Sequence, residues 1–377
     1  MEGNGGRGAA AAEVRVMVVD DSAVIRGLLS RIIEAESDLR VVASAANGRT
    51  ALELLRHKDV DVVLLDVEMP EMDGLAALPR MLELRPQLPV IMASSLTSEG
   101  AEVTLRALAL GAADAIAKPS SLSASRGLAS VAVELLAKIR GLGRARLLAP
   151  PAPSTLAAAP ARAEAGTVGP GSAPALRAPA ARADEPVRLV AIASSTGGPN
   201  ALTRLLGSLG PEFPLPIVIV QHMPPLFTAA LAERLQRESG RPCREAVHGE
   251  PLQAGVTYVA PGDRHLRLAG SREQPILQLG TDAPVNFCRP AADPTLESAA
   301  ALYGAGALAV VLTGMGEDGV RGCRSVVARG GRVVAQDAAT SVVWGMPGAV
   351  VHAGLASAVL PLERIAAHLQ QLCAAAV

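Results

Sequence analysis

The segment Val16-Met17-Val18-Val19-Asp20-Asp21-Ser22 joins a short apolar run to two adjacent acids. Two later runs also end in polar side chains, at Leu64-Leu65-Asp66 and at Ala117-Lys118-Pro119. Runs this short and this rich in aliphatic residues predict buried parallel strands, whose carboxyl ends meet at one edge of a sheet. The sequence therefore predicts an α/β fold with three acids and one lysine gathered at that edge.

These four polar residues suit a phosphoryl-accepting pocket. Asp20 and Asp21 can hold a hard divalent cation together with Asp66. The cation and the Lys118 ammonium can then offset the charge of a phosphoryl group on Asp66. Taken singly, the two adjacent acids could cap a helix and the lysine could belong to a turn. The ordered set, with each part after its own apolar run, favours the functional interpretation.

The stretch Asp66-Val67-Glu68-Met69-Pro70-Glu71-Met72-Asp73-Gly74 completes a pattern that resembles the receiver domain of two-component response regulators, over residues 13–140. The resemblance implies a flavodoxin-like fold and a Mg²⁺-dependent phosphorylation site. It also implies roles for five residues: Asp66 accepts the phosphoryl group, Asp20 and Asp21 bind Mg²⁺ with it, and Ser94 and Lys118 sense the phosphoryl group.

One position departs from that pattern. Many receivers carry an aromatic switch residue three positions before the lysine, where this chain has Ala115. The usual aromatic reorientation is therefore not expected, and the signal must pass through surface or loop changes.

Length and composition indicate two aliphatic domains. The 377 residues leave room for two cores and a connector, and half of the chain is hydrophobic while only 2% is aromatic. With 35 basic and 36 acidic residues the net charge is −1, which gives no long-range attraction for nucleic acids or acidic membranes.

Cysteine usage and the termini indicate a cytoplasmic protein. Four well-separated cysteines without a Cys-x-x-Cys pair predict neither a zinc site nor a disulfide framework. Residues 1–12 are rich in Gly and Ala and predict a disordered leader rather than a signal peptide. The sequence contains no uninterrupted run of about 18 apolar residues, so no membrane-spanning helix is predicted.

Residues 141–186 alternate Ala and Pro with Gly, Ser and Arg, and predict a flexible linker. Residues 187–377 return to alternating strand and helix patterns, so a second parallel α/β domain is expected there. Its predicted strands lie at 189–193, 217–220, 257–260, 307–312 and 332–335.

Three strand ends in this second half carry reactive residues. Ser195 opens a Gly-rich turn that could expose a hydroxyl or cap an anion. His222 precedes two prolines and could act as a base, although a lone histidine is usually structural. Asp318 could orient that histidine, with Glu317 as the competing acid. The Gly-x-Ser-x-Gly elbow of α/β-hydrolases is absent.

The segments Ser195-Thr196-Gly197-Gly198, Gln221-His222-Met223-Pro224-Pro225 and Leu312-Thr313-Gly314-Met315-Gly316 resemble the catalytic domain of bacterial chemotaxis protein-glutamate methylesterases. That resemblance implies a Rossmann-like domain over 187–377. It implies that Ser195 is the nucleophile, His222 the base and Asp318 its partner, with Thr196 and Met315 supporting the oxyanion. Two departures leave alternatives open, because Ser194 is a rival nucleophile and Glu317 often corresponds to Asn.

The implied reaction is hydrolysis of glutamate γ-methyl esters on methyl-accepting chemotaxis receptors, with deamidation of receptor glutamines. It needs no cofactor beyond the Mg²⁺ of the receiver. A chemotaxis histidine kinase is the implied phosphodonor, and the unphosphorylated receiver is expected to cover the active site of a monomeric enzyme. The alternative is a phosphorylation-switched binding module without catalysis, for which His222 and Asp318 would have no role.

Overall fold

The computed structural model describes residues 13–118, 128–148 and 185–374. The predicted leader, residues 1–12, lies outside these ranges, and so does the part of the predicted linker at 149–184. None of the described helices is both long and apolar enough to cross a membrane.

The first sheet has five parallel strands in the order β2-β1-β3-β4-β5. This is the flavodoxin-like order, which places a topological switch point between β1 and β3. Its elements are β1 (Val14–Val19), α1 (Ala23–Glu34), β2 (Leu39–Ala45), α2 (Gly48–His57), β3 (Val62–Asp66), α3 (Gly74–Leu84), β4 (Val90–Ser94), α4 (Ser98–Ala109), β5 (Asp114–Ala117) and α5 (Leu128–Leu148).

The helices of this half begin at residues that cap them. Ser22, Asn47, Asp73 and Thr97 each accept a hydrogen bond from a peptide N–H in the first turn of the helix that follows. Such caps satisfy N–H groups that have no partner within the helix. They fix the helices directly after the strand ends that carry the polar residues.

Helix α5 corrects the predicted start of the linker. Residues 141–148 are helical rather than linker, although Gly141 and Gly143 in this segment favoured a loop. Leu142 is buried in the core with β1 and β3, and a side chain at Gly143 would collide with Val14. Close packing against the sheet therefore outweighs the low helix propensity of the two glycines.

The second sheet has seven parallel strands in the order β14-β13-β12-β6-β7-β9-β8. Apart from the outermost β8, this is the Rossmann-like order, with its switch point between β6 and β12. Its elements are β6 (Leu189–Ser194), α6 (Gly198–Leu209), β7 (Ile217–Gln221), α7 (Phe227–Ser239), β8 (Cys243–Glu245), β9 (Thr257–Val259), β10 (His265–Gly270), β11 (Pro275–Gly280), α8 (Ala292–Tyr303), β12 (Ala307–Val311), α9 (Val320–Ala328), β13 (Arg332–Gln336), α10 (Met346–His352), β14 (Ala358–Leu360) and α11 (Leu362–Ala374).

The parallel α/β architecture predicted for both halves is confirmed. Each of the five predicted strands of the second half begins at the expected residue and ends within one residue of the expected end. The antiparallel hairpin β10–β11 was not predicted. It leads into the loop that reaches back to the strand ends of the parallel sheet.

The two halves pack against each other. Helix α4 of the first half lies against α6 and α7 of the second half, and one continuous set of buried side chains includes Leu105 and Leu108 from α4 together with Leu231 and Leu235 from α7.

Candidate active site

Ser195 follows β6 at the switch point of the second sheet. Its peptide N–H donates to the carbonyl of Thr313 at 3.1 Å, which ties it to the loop after β12. Its carbonyl accepts from the N–H of Gly198 at 2.8 Å, which closes the turn. Gly197 has a φ of 77°, so this sharp turn suits glycine. The Ser195 hydroxyl has no hydrogen-bond partner within the described chain.

Ser194 has a different environment from its neighbour. Its side chain is 0% exposed, whereas Ser195 is 9% exposed. The Ser194 hydroxyl donates to Oε1 of Gln221 at 2.7 Å. Gln221 in turn donates from Nε2 to the Ser195 carbonyl at 2.9 Å. Ser194 is therefore held in a buried bond between β6 and β7, with no open side from which a substrate could approach.

His222 and Asp318 form a hydrogen-bonded pair. His222 follows β7, and its peptide N–H donates to the Ser194 carbonyl at 3.2 Å. Its Nε2 lies 2.8 Å from Oδ2 of Asp318. Burial disfavours the charged imidazolium, but the neighbouring Cys288 and the Asp318 carboxylate outweigh it and hold the pKa of His222 well above its usual value.

The Asp318 carboxylate, which is 2% exposed, is held by several donors. It accepts from the peptide N–H of Ala292 at 2.6 Å and from Nδ2 of Asn286 at 2.9 Å. Burial raises its pKa, but the bonds from His222, Ala292 and Asn286 outweigh burial, so the net pKa is lowered. Glu317 is exposed, and its side chain bonds to none of the described residues.

Two residues of this site were missed by sequence reasoning. Cys288 places its Sγ 3.5 Å from Nδ1 of His222, the nitrogen that does not bond to Asp318. Asn286 bridges Asp318 and Asp293, whose Oδ2 lies 3.1 Å from its Nδ2. Both residues lie in the irregular loop between β11 and α8, where the sequence shows no periodic hydrophobic pattern. The only available signal was that this loop of the second domain contains polar side chains.

Two peptide N–H groups in the loops next to Ser195 are candidate donors to an oxyanion. Those of Thr196 and Met315 donate to no acceptor in the part of the chain that is described. The two loops are tied together, because the Thr313 hydroxyl donates to the Thr196 carbonyl at 2.9 Å. The turn after β6 and the loop after β12 therefore present free donors beside Ser195.

The structure brings the loops of Ser195, His222 and Asp318 to one sheet edge. The histidine and the aspartate are hydrogen-bonded. The serine hydroxyl bonds to neither of them in the described arrangement. Catalytic hydrogen bonds are often incomplete without substrate, so this geometry is compatible with a triad.

The polar residues of the first sheet gather as predicted. Asp20 and Asp66 are buried and Asp21 is exposed, and one carboxylate oxygen from each lies within 4.8 Å of the others. Lys118 places its Nζ 2.6 Å from Oδ1 of Asp66 and 3.5 Å from Oδ2 of Asp20. Burial, partly offset by Lys118, raises the pKa of Asp66 to about 6.

These acids fit a divalent cation. Oδ2 of Asp20 and Oδ2 of Asp66 are buried without a hydrogen-bond partner, and such oxygens are costly unless a cation or donor satisfies them. Ser94 is close to this edge, but its hydroxyl donates to the Gly100 carbonyl at 3.0 Å rather than to Asp66.

Comparison with known proteins identifies the family of each half of the chain. Residues 16–127 match the response regulator receiver domain, and residues 190–369 match the CheB methylesterase. A protein-glutamate methylesterase/protein-glutamine glutaminase of group 2 operon from Rhodospirillum centenum is 47% identical over 96% of this chain and 94% of its own length. The protein-glutamate methylesterase/protein-glutamine glutaminase 1 of Paramagnetospirillum magneticum is 48% identical to this chain, and the match covers 96% of each of the two chains.

The chain belongs to the CheB methylesterase family. Its activity is that of a protein-glutamate methylesterase under the control of a receiver domain. The crystal structure of the Thermotoga maritima CheB methylesterase catalytic domain is 44% identical, with a TM-score of 0.49, and covers 50% of this chain and 100% of that one.

The receiver of this methylesterase contacts the catalytic turn directly. The Thr196 hydroxyl donates to Oδ2 of Asp114 at 2.5 Å. Farther from the site, Nδ2 of Asn200 donates to the Leu108 carbonyl at 2.7 Å, and Arg234 donates to the Leu105 carbonyl at 3.1 Å. These three bonds join α4 and β5 of the receiver to the catalytic domain.

Apolar contacts extend this interface around the site. Met315 packs against the receiver core, and a side chain at Gly141 of α5 would collide with its Sδ. Val343 is buried in the same receiver cluster. Ala115, at the position where many receivers have an aromatic residue, lines a small cavity together with His222. In this arrangement the receiver packs against the sheet edge that carries Ser195 and His222.

Proposed function

We propose that Ser195, His222 and Asp318 carry out the esterase reaction as nucleophile, base and orienting acid. The observation that carries this assignment is the difference between the two adjacent serines. Ser194 is bonded to Gln221 and fully buried, while the Ser195 hydroxyl is unbonded within the described chain. The His222–Asp318 bond supplies the second part of the arrangement.

In this mechanism Nδ1 of His222 takes the proton of the Ser195 hydroxyl, because Nε2 is engaged by Asp318. The serine oxygen attacks the γ-carbonyl carbon of the methylated glutamate, and the negative oxygen that forms is met by the N–H groups of Thr196 and Met315. The C–OCH₃ bond then breaks and methoxide takes the proton from Nδ1. Water hydrolyses the resulting acyl-enzyme in the reverse order.

The same steps would convert a receptor glutamine to glutamate with release of ammonia. No step draws on a cofactor, because each proton is transferred by His222. All three residues come from one chain, which is consistent with a monomeric enzyme.

The test is release of methanol from methylated chemoreceptors by two matched variants. Ser195→Ala removes the nucleophile and should lower the rate by several powers of ten. Ser194→Ala should retain most of the activity, with some loss of stability from the broken bond to Gln221. The assignment of Ser195 as the nucleophile would be overturned if Ser194→Ala were inactive while Ser195→Ala remained active.

We further propose that Asp66 accepts a phosphoryl group from a chemotaxis histidine kinase. Asp20, Asp21 and Asp66 would hold Mg²⁺, which neutralises charge on the transferred group when bound. Lys118 would contact the phosphoryl oxygens, and Ser94 would do so after leaving its bond to Gly100. Asp66→Asn should abolish phosphorylation measured with a labelled phosphodonor. Asp73→Asn, at a helix cap on the same loop, is the matched control.

We also propose that the unphosphorylated receiver inhibits the esterase by covering the edge of the second sheet that carries Ser195 and His222. We propose that the enzyme meets its receptor substrate and the histidine kinase in the cytoplasm. The bond between Thr196 and Asp114 and the packing of Met315 support the covering role of the receiver. A chain that begins at Pro186 should be active without phosphodonor. If it is no faster than the unphosphorylated full chain, the receiver does not act as a cover.

A further inference from the structure

Phe287 is unusual among the aromatic residues of the chain. It is 95% exposed. The other five aromatic side chains are buried or half-buried: Phe213, Phe227, Tyr258, Tyr303 and Trp344. An exposed phenylalanine gives up the burial that stabilises aromatic side chains in a fold. A contribution to the stability of the fold therefore does not explain why a phenylalanine occupies position 287.

The backbone at Phe287 also disfavours a bulky side chain. Val285 and Cys288 exchange two backbone hydrogen bonds of 3.0 and 2.9 Å, which close a tight turn around Asn286 and Phe287. The φ angles of these two central residues are 51° and 63°. A turn of this kind favours Asn-Gly. The chain has the asparagine but carries phenylalanine where glycine would fit without strain, which points to a use for the side chain.

The turn is fixed to the catalytic pair on both sides of Phe287. Asn286, the preceding residue, donates to Oδ1 of Asp318 at 2.9 Å. Cys288, the following residue, lies 3.5 Å from Nδ1 of His222. The exposed phenyl ring is therefore carried by a turn that contacts both members of the catalytic pair. The docked receiver leaves the ring exposed, so it lies outside the surface that the receiver covers.

We propose that Phe287 is a substrate-positioning residue, an apolar anchor that packs between side chains of the receptor beside the methylated glutamate. This inference rests on the proposed function, since the receptor is its partner. Contacts remote from the reacting atoms hold a protein substrate in register with the nucleophile. A small soluble ester has no such contact with the ring, so its hydrolysis is independent of Phe287.

The experiment compares two substrates, methylated chemoreceptors in native membranes and p-nitrophenyl acetate. Phe287→Gly removes the side chain and suits the positive φ, so the turn and its bonds to the catalytic pair are retained. We expect kcat/KM for methanol release to fall about tenfold or more, chiefly through KM. Hydrolysis of p-nitrophenyl acetate should stay within about twofold, because the ring does not touch that substrate.

Two further variants separate anchoring from general effects. Phe287→Leu should recover most of the receptor activity, because it restores an apolar side chain. Val247→Ala, at another exposed apolar residue (60% exposed) beyond the outermost strand, should leave both substrates unchanged. An unchanged KM for receptors in Phe287→Gly would overturn the inference, and so would an equal loss on both substrates, which would indicate a structural role. If the wild-type chain released no methanol, the proposed function itself would fail, and the inference with it.

Discussion

Asp114 is the receiver residue whose replacement by alanine should release the esterase from inhibition. Its Oδ2 accepts from the Thr196 hydroxyl of the catalytic turn at 2.5 Å, and its Oδ1 accepts from Lys138 of α5 at 3.0 Å. In Asp114→Ala the Lys138 ammonium keeps Glu134 at 3.1 Å and the Ala115 carbonyl at 2.6 Å. The charge of the buried Lys138 therefore keeps two partners in the variant. The main interaction that is lost is the bond between Asp114 and Thr196 that joins the two domains.

The size of the effect follows from the kind of bond that is lost. A hydrogen bond to a charged group contributes about 1.5–3 kcal/mol net. The Thr196–Asp114 bond exists only when the receiver is docked, whereas the bond between Asp114 and Lys138 lies within the receiver in both arrangements. The equilibrium should shift toward the open enzyme by a factor of about 10 to 150. Basal activity should rise by that factor, up to the level of the phosphorylated enzyme.

The assay is methanol release from methylated receptors with and without a small-molecule phosphodonor. Asp38→Ala is the matched control, because Asp38 also bonds to α5, through Arg140 at 2.8 Å, but does not touch the catalytic domain. The control should keep its low basal rate. Equal basal rates in the wild type and in Asp114→Ala, with a normal phosphodonor response in both, would refute the idea that this bond maintains inhibition.

Three further predictions follow from the same contacts. Cys288→Ala removes a group that raises the pKa of His222. Because catalysis needs the neutral imidazole, the acidic limb of the pH–activity profile should move to lower pH, and an unmoved limb would contradict this. Ala115→Tyr overfills the cavity shared with His222, so methanol release without phosphodonor should rise; an unchanged rate would argue against close docking there. Asp318→Asn should lower kcat on the order of 10⁴-fold, while Glu317→Gln, which changes an exposed and unbonded side chain, should be near wild type; equal losses would point to a shared structural role.

The residues that the structure brings to a sheet edge, as the sequence indicated, lie at strand ends or directly after them. Asp20, Asp66, His222 and Ser195 each follow or end an apolar run, and parallel strands carry such residues to one edge whatever their separation along the chain. The loop that completes the active site could not be placed in this way. Cys288 reaches His222 through an irregular segment, and no period in its sequence indicates where that segment packs.

Two further features depended on tertiary packing. Residues 141–148 have the glycines and small residues of a linker, but Leu142 is buried against the sheet and extends α5. The motif resemblance favoured Ser195 over Ser194 as the nucleophile, but the physical difference between the two serines is visible only in the structure. Ser194 is fully buried and bonded to Gln221, whereas Ser195 is partly exposed and its hydroxyl is unbonded within the described chain.

The receiver contacts both of the loops that carry the candidate oxyanion donors. Thr196 and Met315, the two candidate oxyanion donors, are the residues held by Asp114 and by the receiver core. The bond between His222 and Asp318 is intact in the same arrangement. Under the proposed inhibition the His222–Asp318 pair is therefore not distorted, and undocking would uncover a pair that is already hydrogen-bonded. If the receiver acts as the proposed cover, its tether to the catalytic domain means that a few kcal/mol of contact would keep it docked, and loss of a similar amount on phosphorylation would release it.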